Sequence, residues 1–301
     1  MKRKAYGRDF GLTSRMLLTT FLLGLLYVVF AVILFSVFNV GLWFGVVIIG
    51  GLAFFQYFTS DKLALRASGA RIVSEEEAPE LHAMIERLSA MADLRKPRVA
   101  IVDTPVPNAF ATGRNQKRAV VAVTTGLWNR LDEKEIEGVL AHELTHIANR
   151  DVLVMTLASF FAMLAGLMTR IGLYSGMFGS RDNNNAVPVW LIVAVVSIVT
   201  YAISWVLIRT LSRYREYAAD RGSALITGAP EYLMSALQKI SSQMTMIPQQ
   251  DLREVQAVNA LFIIPASVKK GVSELFMDHP PLEKRLAALA EIAREMGRPV
   301  E

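Results

Sequence analysis

The stretch Val139-Leu140-Ala141-His142-Glu143-Leu144-Thr145-His146-Ile147-Ala148 decides how the rest of the chain is read. It sets His-Glu-x-x-His inside an apolar run of helical period. Residues four apart share a helix face, so His142 and His146 can turn two imidazoles towards one metal ion. Glu143 stands beside that ion, free to take a proton from a water that the metal acidifies. Alone, the pattern arises by chance in on the order of one chain in a hundred of this length, and a core helix with two hydrogen-bonded histidines is the plain alternative. The setting favours the metal. Asp132 and Glu135 make a capping box, and Ile136, Val139, Leu140, Leu144 and Ile147 supply apolar contacts around the ligand face.

Composition places this helix in a membrane protein. Of 301 residues, 53% are hydrophobic, and the mean hydropathy is +0.36. No charged side chain occurs over the 45 residues from Met16 to Ser60. As continuous helix that run measures about 67 Å, enough to cross a bilayer core of roughly 30 Å twice. Asn39 and Gly41 mark the turn of a tight hairpin between spans at about Met16–Val37 and Gly41–Phe58. A cleaved signal peptide is disfavoured, because the apolar run is too long and no small-residue cleavage site precedes the second span. The chain has no cysteine, so disulfides and thiolate metal sites are excluded and His and carboxylate remain as ligands. The net charge of +5 does not read as nucleic-acid binding; much of it flanks the apolar runs, where basic residues fix orientation and meet anionic lipid.

Further along, Ser74 with Glu77 caps a helix through about Asp93, amphipathic in Leu81, Met84, Ile85, Leu88 and Met91. His82 on that helix reads as a surface or packing residue. Strand-type runs follow at Arg98–Val102, Ala109–Thr112 and Ala119–Thr124, the last two joined by a turn at Gly113-Arg114-Asn115-Gln116. A second pair of apolar runs covers Val152 to about Leu173, with Arg170 near enough to its end to snorkel, and about Val189 to Ile208. The polar link Gly179 to Asn185 separates them. Trp190, Tyr201 and Trp205, mostly towards the run's ends, favour spanning over a buried soluble hairpin. The rest reads as helical, with one stripe at Leu233, Ala236, Leu237 and Ile240 and another at Leu282, Leu286, Leu289 and Ile292 behind Pro280-Pro281.

Five Lys or Arg lie in the first 15 residues; Lys62, Arg66 and Arg71 follow the second run, and Arg209, Arg213 and Arg215 follow the fourth. By the positive-inside rule both soluble segments and both termini are cytoplasmic.

Two histidines leave a zinc site short of a protein ligand. A third His at the fixed downstream spacing is excluded, since Asn149 and Val152 hold those places. Arg213-Tyr214-Arg215-Glu216-Tyr217-Ala218-Ala219-Asp220 offers a carboxylate instead. Glu216 and Asp220 share a helix face, so Glu216 can bind metal while Asp220 receives the spare N–H of a ligand His. This helix prolongs the fourth run, and the third begins six residues after His146, so an antiparallel transmembrane pair brings the two ends together. If both helices leave the bilayer unbroken, the metal stands roughly 10 Å beyond the hydrocarbon edge.

These motifs together resemble the HtpX family of bacterial heat-shock membrane metalloproteases, related to the CAAX prenyl endopeptidases. The likeness covers nearly the whole chain. It includes Pro107-Asn108-Ala109-Phe110-Ala111-Thr112-Gly113, the His142–Asn149 stretch, Arg215-Glu216-Tyr217-Ala218-Ala219-Asp220 and His279-Pro280-Pro281-Leu282-Glu283-Lys284-Arg285. It implies a zinc endopeptidase of the inner membrane, one Zn2+ per chain, that degrades damaged or misfolded membrane proteins under stress. It also implies that His279 helps stabilise the oxyanion, that Arg285 braces the site, and that Asn108, Ala109, Phe110, Ala111 and Thr112 form the edge strand on which substrate lies.

The expected fold is a mainly α membrane protein with four transmembrane helices and a cytoplasmic zincin-like α+β domain holding a small sheet. Its expected division is 1–60 (first transmembrane hairpin), 61–151 (sheet and His-Glu-x-x-His helix), 152–208 (second hairpin) and 209–301 (third ligand and C-terminal helices). A prenyl endopeptidase shares the chemistry but encloses its chamber with more helices. A scaffold with structural zinc has no use for Glu143, and a transporter needs polar residues in mid-span.

Overall fold

A computed structural model describes residues 10–38, 42–178, 188–244, 263 and 279–298. In chain order the elements are α1 (Phe10–Phe38), α2 (Leu42–Ala67), β1 (Arg71–Ile72), α3 (Pro79–Met91), β2 (Arg98–Val102), β3 (Ala109–Thr112), β4 (Val120–Thr124), α4 (Thr125–Trp128), α5 (Glu133–Asn149), α6 (Asp151–Phe178), α7 (Val189–Thr227), α8 (Pro230–Met244) and α9 (Leu282–Glu295).

Strand β4 is buried along its whole length, and apolar up to Thr124, because both its faces are covered. It pairs parallel to β2 and antiparallel to β3, giving the order β1-β2-β4-β3 with β3 at an edge. Val99, Val121 and Val123 face a core shared with α3, α5, α8 and α9, which includes Ile85, Leu88, Leu140, Leu237 and Leu289. Ala100, Val102, Phe110, Val120 and Ala122 make a second cluster on the opposite face, against Leu65 of α2. The β3–β4 connection turns at Gly113, whose φ of 122° is open to glycine and where a Cβ would lie 2.6 Å from the Arg118 carbonyl.

Helix α3 starts at Pro79, later than the Ser74 and Glu77 signal suggests. The Ser74 amide does donate to Glu77 Oε2 at 2.9 Å, but it closes a turn ahead of the helix. Pro79 holds the preceding Ala78 out of the helical region (φ −143°, ψ 64°), so the helix begins after it. Met91, at the C-terminal end, is exposed, while the other four residues of the expected stripe are buried. His82 is a packing residue, its Nε2 lying 3.1 Å from the Val73 carbonyl oxygen.

Three helices among the described residues are long and apolar enough to cross a membrane: Phe10–Val37, Asp151–Ile171 and the run within Val189–Thr227. Their outward faces carry exposed large apolar side chains such as Leu17, Phe21, Val28, Leu167, Val195 and Ile198, as a lipid-facing surface requires. Helix α1 packs most extensively on α7, and α2 packs on α6. The expected turn at Asn39 to Gly41 and the link at Gly179 to Asn185 lie outside the described residues. Tyr27 stacks on Phe161 at 4.5 Å and donates to the Ala158 carbonyl at 2.8 Å, fastening α1 to α6.

Helix α7 runs unbroken past the membrane stretch to Thr227 and stops at Gly228, whose φ is 66°. The expected continuity fails on the other side, where α5 and α6 are separate helices broken at Arg150 in the left-handed conformation (φ 58°, ψ 37°).

Candidate metal centre

Helix α5 is pinned at its start by the Asp132 amide, which donates to Glu135 Oε2 at 2.9 Å. Two close approaches then seat it. At Gly138 a Cβ would lie 2.7 Å from the Leu233 backbone nitrogen, so α8 crosses in direct contact. At Gly222 a Cβ would lie 2.3 Å from the Thr145 side chain, so α7 crosses equally close. Ser223 Oγ donates to the Gly138 carbonyl at 2.7 Å within the same crossing. The tight α5–α7 contact brings Glu216 to the two histidines.

His142 Nε2 and His146 Nε2 stand 3.2 Å apart. Glu216 Oε1 is 3.4 Å from His146 Nε2, and Oε2 is 3.6 Å from His142 Nε2. Ligands held 2.0–2.1 Å from a tetrahedral ion are separated by about 3.3 Å, which the His142–His146 and His146–Glu216 Oε1 spacings match, and one ligand atom from each of the three residues lies within 4.8 Å of the others. Glu216 Oε2 is buried without a hydrogen-bond partner among the described residues, and the donor set of two imidazoles and a carboxylate is that of a catalytic zinc site. The residues fit a metal ion.

Behind each histidine lies a buried carboxylate. His142 Nδ1 is 2.9 Å from Asp220 Oδ1. Arg285 grips Asp220 with both ends of its guanidinium, Nε donating to Oδ2 at 2.9 Å and Nη2 to Oδ1 at 2.6 Å. His146 Nδ1 is 2.6 Å from Asp151 Oδ2, and Arg215 Nε is 2.9 Å from Asp151 Oδ1. Neither Asp151 nor Arg215 was picked out as a site residue by sequence reasoning. The available signal was an acidic residue five places after His146, at a junction whose geometry no periodicity reveals.

Glu143 is buried, and its Oε2 accepts a hydrogen bond from the Ala111 amide at 2.8 Å. Burial pushes its pKa above the ordinary carboxylate value, with His142 and His146 pulling the other way. Burial alone would lower both imidazoles. For His146 the bonds to Asp151 and Glu216 outweigh it and lift the pKa to about 10; for His142, Asp220 and Glu216 raise it.

Of the remaining candidates, Phe110, Ala111, Thr112 and His279 line the cleft at this centre, and Asn108 and Ala109 do not. Ala111, half-buried, turns its amide from β4 towards Glu143, whereas Ala109 and Phe110 are buried in the domain. Thr112 is buried and lines the cleft. Asn108 is occupied in holding its surroundings: its Oδ1 accepts from the Ile263 amide at 3.0 Å and its own amide donates to Thr124 Oγ1 at 2.8 Å. His279 Nδ1 lies 3.2 Å from Glu216 Oε2. Arg285 Nη1 donates to the Ile263 carbonyl at 2.9 Å and stands 3.5 Å from Glu216 Oε2. A cleft of about 390 Å³ opens onto these groups, walled by Phe110–Thr112, by Gln56, Ser60 and Ala64 of α2, and by Met155, Thr156 and Ser159 of α6. Tyr57 Oη donates to the Arg114 carbonyl at 2.9 Å and Arg114 Nη1 to the Phe58 carbonyl at 3.2 Å, which ties α2 to the end of β3.

A buried His-Glu-x-x-His helix, a carboxylate from a second helix and an edge strand beside the acid together define a metallopeptidase. The chain belongs to peptidase family M48, whose family model matches residues 75–293. It is 53% identical to the protease HtpX homolog of Moorella thermoacetica over 300 residues, 98% of each chain. It is 52% identical to protease HtpX homolog 2 of Methanosarcina mazei, over 99% of this chain and 100% of that one. With protease HtpX homolog 1 of Streptomyces coelicolor it shares 50% over 291 residues, 96% of this chain and 95% of that. The resemblance drawn from the motifs is thereby established over nearly the full length. Among solved structures, the S. mikatae Ste24p crystal structure superposes with a TM-score of 0.54 at 21% identity, covering 88% of this chain. This chain spans 62% of that protein's length, and the likeness is one of fold.

Proposed function

We propose that this chain is a zinc-dependent endopeptidase that cuts damaged or misfolded membrane proteins at the cytoplasmic face of the inner (plasma) membrane. The observation that carries the reading is Glu143: its carboxylate lies beside the converging His142, His146 and Glu216 atoms and on the edge-strand amide of Ala111.

His142, His146 and Glu216 would hold one Zn2+, which when bound polarises the scissile carbonyl and acidifies water. Glu143 takes the proton of the attacking water and passes it to the leaving amine. Asp220 and Asp151 keep the Nδ1–H of each ligand histidine directed backwards, so both Nε2 atoms face the ion. His279, next to Glu216, is placed to donate towards the developing oxyanion, and Arg285 braces Asp220 and Glu216 from behind. An extended substrate adding beside Asn108–Thr112 gains main-chain hydrogen bonds at Ala111 and is bound with little regard to side chains, as quality control requires.

Four transmembrane helices frame the site in this reading, α2 joining the other three. The divisions are 1–60, 61–151, 152–208 and 209–301, with the basic flanks in the cytoplasm. Arg209 stacked 3.7 Å over the Trp205 ring marks the interface end of α7.

The test uses the full-length purified chain loaded with zinc and an unfolded protein substrate, beside Glu143→Gln. Cleavage by the parent, stopped by a chelator and lost in the variant, is expected. Cleavage undiminished in Glu143→Gln overturns the reading.

A further inference from the structure

We infer that Asp151 is a positioning residue for the metal centre, that Arg215 holds it, and that the left-handed Arg150 is the device that lets it reach His146. The inference rests on the reading of His142, His146 and Glu216 as metal ligands.

On an uninterrupted helix a residue five places after His146 stands about 140° round the axis, pointing away from it. Asp151 nevertheless lies with Oδ2 2.6 Å from His146 Nδ1. Arg150 explains the difference. Its φ of 58° and ψ of 37° end α5, and its amide bonds back to the His146 and Ile147 carbonyls. The next residue opens α6 in a new direction, with its carboxylate folded over the last turn of α5. A side chain other than glycine costs about 1–2 kcal/mol in that conformation, so the surroundings must enforce it. Arg150 itself is exposed, so its side chain is free to change in an experiment.

The carboxylate is fully committed. Asp151 is 2% exposed, with Oδ2 on His146 and Oδ1 2.9 Å from Arg215 Nε. Arg215, from the middle of α7 and 8% exposed, precedes the ligand Glu216. A buried anion held by a hydrogen bond to His146 on one oxygen and an ion pair with Arg215 on the other has a single orientation, and it in turn fixes the ring plane of His146. The arrangement parallels Arg285, Asp220 and His142 on the other side, so each ligand histidine is backed by its own Asp and Arg. The two chains differ in origin. Asp151 is the first residue of a membrane helix, so the seating of α6 against α7 sets the direction in which His146 presents its lone pair.

The experiment compares Zn2+ affinity, by competition with a chromophoric chelator, in full-length detergent-solubilised parent, Asp151→Ala, Asp151→Asn, Arg150→Gly and Arg150→Val. Visible spectra of the Co2+ forms report ligand geometry, and thermal melts of the metal-free forms report folding separately. Asp151→Ala is expected to weaken Zn2+ by about 10- to 100-fold and to alter the Co2+ spectrum. Asp151→Asn, which still accepts from Nδ1–H, should lose less. Arg150→Gly should match the parent, and Arg150→Val, which resists the left-handed region, should fall with Asp151→Ala. Should the Asp151 variants not fold, the Arg150 pair decides alone. A parent that binds Zn2+, with affinity and spectrum unchanged in the Asp151 variants or in Arg150→Val, overturns this inference and leaves the ligand assignment standing. A parent that takes up no Zn2+ removes the ligand assignment itself.

Discussion

The amide of Ala111, on the edge strand β3, donates to Glu143 Oε2 across 2.8 Å. One bond therefore joins the strand beside which a peptide would lie to the acid that would move its proton. It fixes where the carboxylate waits, and it leaves the edge half-satisfied until something replaces it. Removing this N–H is the most direct probe of strand addition. Ala111→Pro, at an edge position where the ladder to β4 is spared, is expected to retain metal and to lower kcat/KM about 10-fold or more, the worth of one to two buried hydrogen bonds. Unchanged proteolysis would move the substrate path elsewhere.

The ligands and the base should separate by metal content. His142→Ala, His146→Ala and Glu216→Ala are each expected to lose zinc, whereas Glu143→Gln keeps it and loses turnover. Asp220→Asn should weaken zinc about 10- to 100-fold. Zinc stoichiometry by atomic absorption checks the set, and full zinc in Glu216→Ala would send the search for the third ligand to other carboxylates.

Metal uptake should expel protons. With His146 held near pKa 10 in the metal-free protein, against a usual 6.5, its proton is still bound at pH 7.5, where a free imidazole has lost most of its own. Zn2+ binding at pH 7.5 is then expected to release about one proton or more, and apparent affinity should climb as pH rises. For the metal-free fold the sign is the reverse. A raised pKa stabilises in full below 6.5, and that contribution is lost as pH climbs through about 10. Titration in a weakly buffered indicator dye measures the release; none at pH 7.5 would contradict the picture.

Gly222→Ala should show what the α5–α7 crossing does. The new Cβ meets the Thr145 side chain at 2.3 Å, and a β-branched side chain on a helix cannot swing away. The helices must part, at about 1–3 kcal/mol in stability and with weaker zinc binding, because Glu216 sits on the displaced helix. Thermal melts with and without zinc give the two numbers, and a variant equal to the parent in both would show that the crossing has slack.

Topology has a separate test. A reporter active only outside the cytoplasm should be on when placed between α6 and α7, and off after Ala70 or Ser242. The opposite pattern would turn the cleft outwards.

Local periodicity was enough to read most of the elements. The four-residue spacing of His142 and His146, the charge-free runs and the capping of α5 are properties of a few consecutive residues, so the His-Glu-x-x-His helix and the long apolar helices were legible directly. Glu216 needed one further step, that a helix prolonging an apolar run returns to the same membrane face. What the sequence could not supply was direction across a break or between distant segments. A single left-handed residue at Arg150 reverses where Asp151 points, and Pro79 moves the start of α3 past a good capping signal. The placement of α1 on α7 and α2 on α6, the contact of Asn108 with Ile263 and the meeting of Ala111 with Glu143 come from packing among segments far apart in the chain. Such contacts leave no period in the sequence, because the side chains that make them are chosen by a neighbour that only the folded chain brings near.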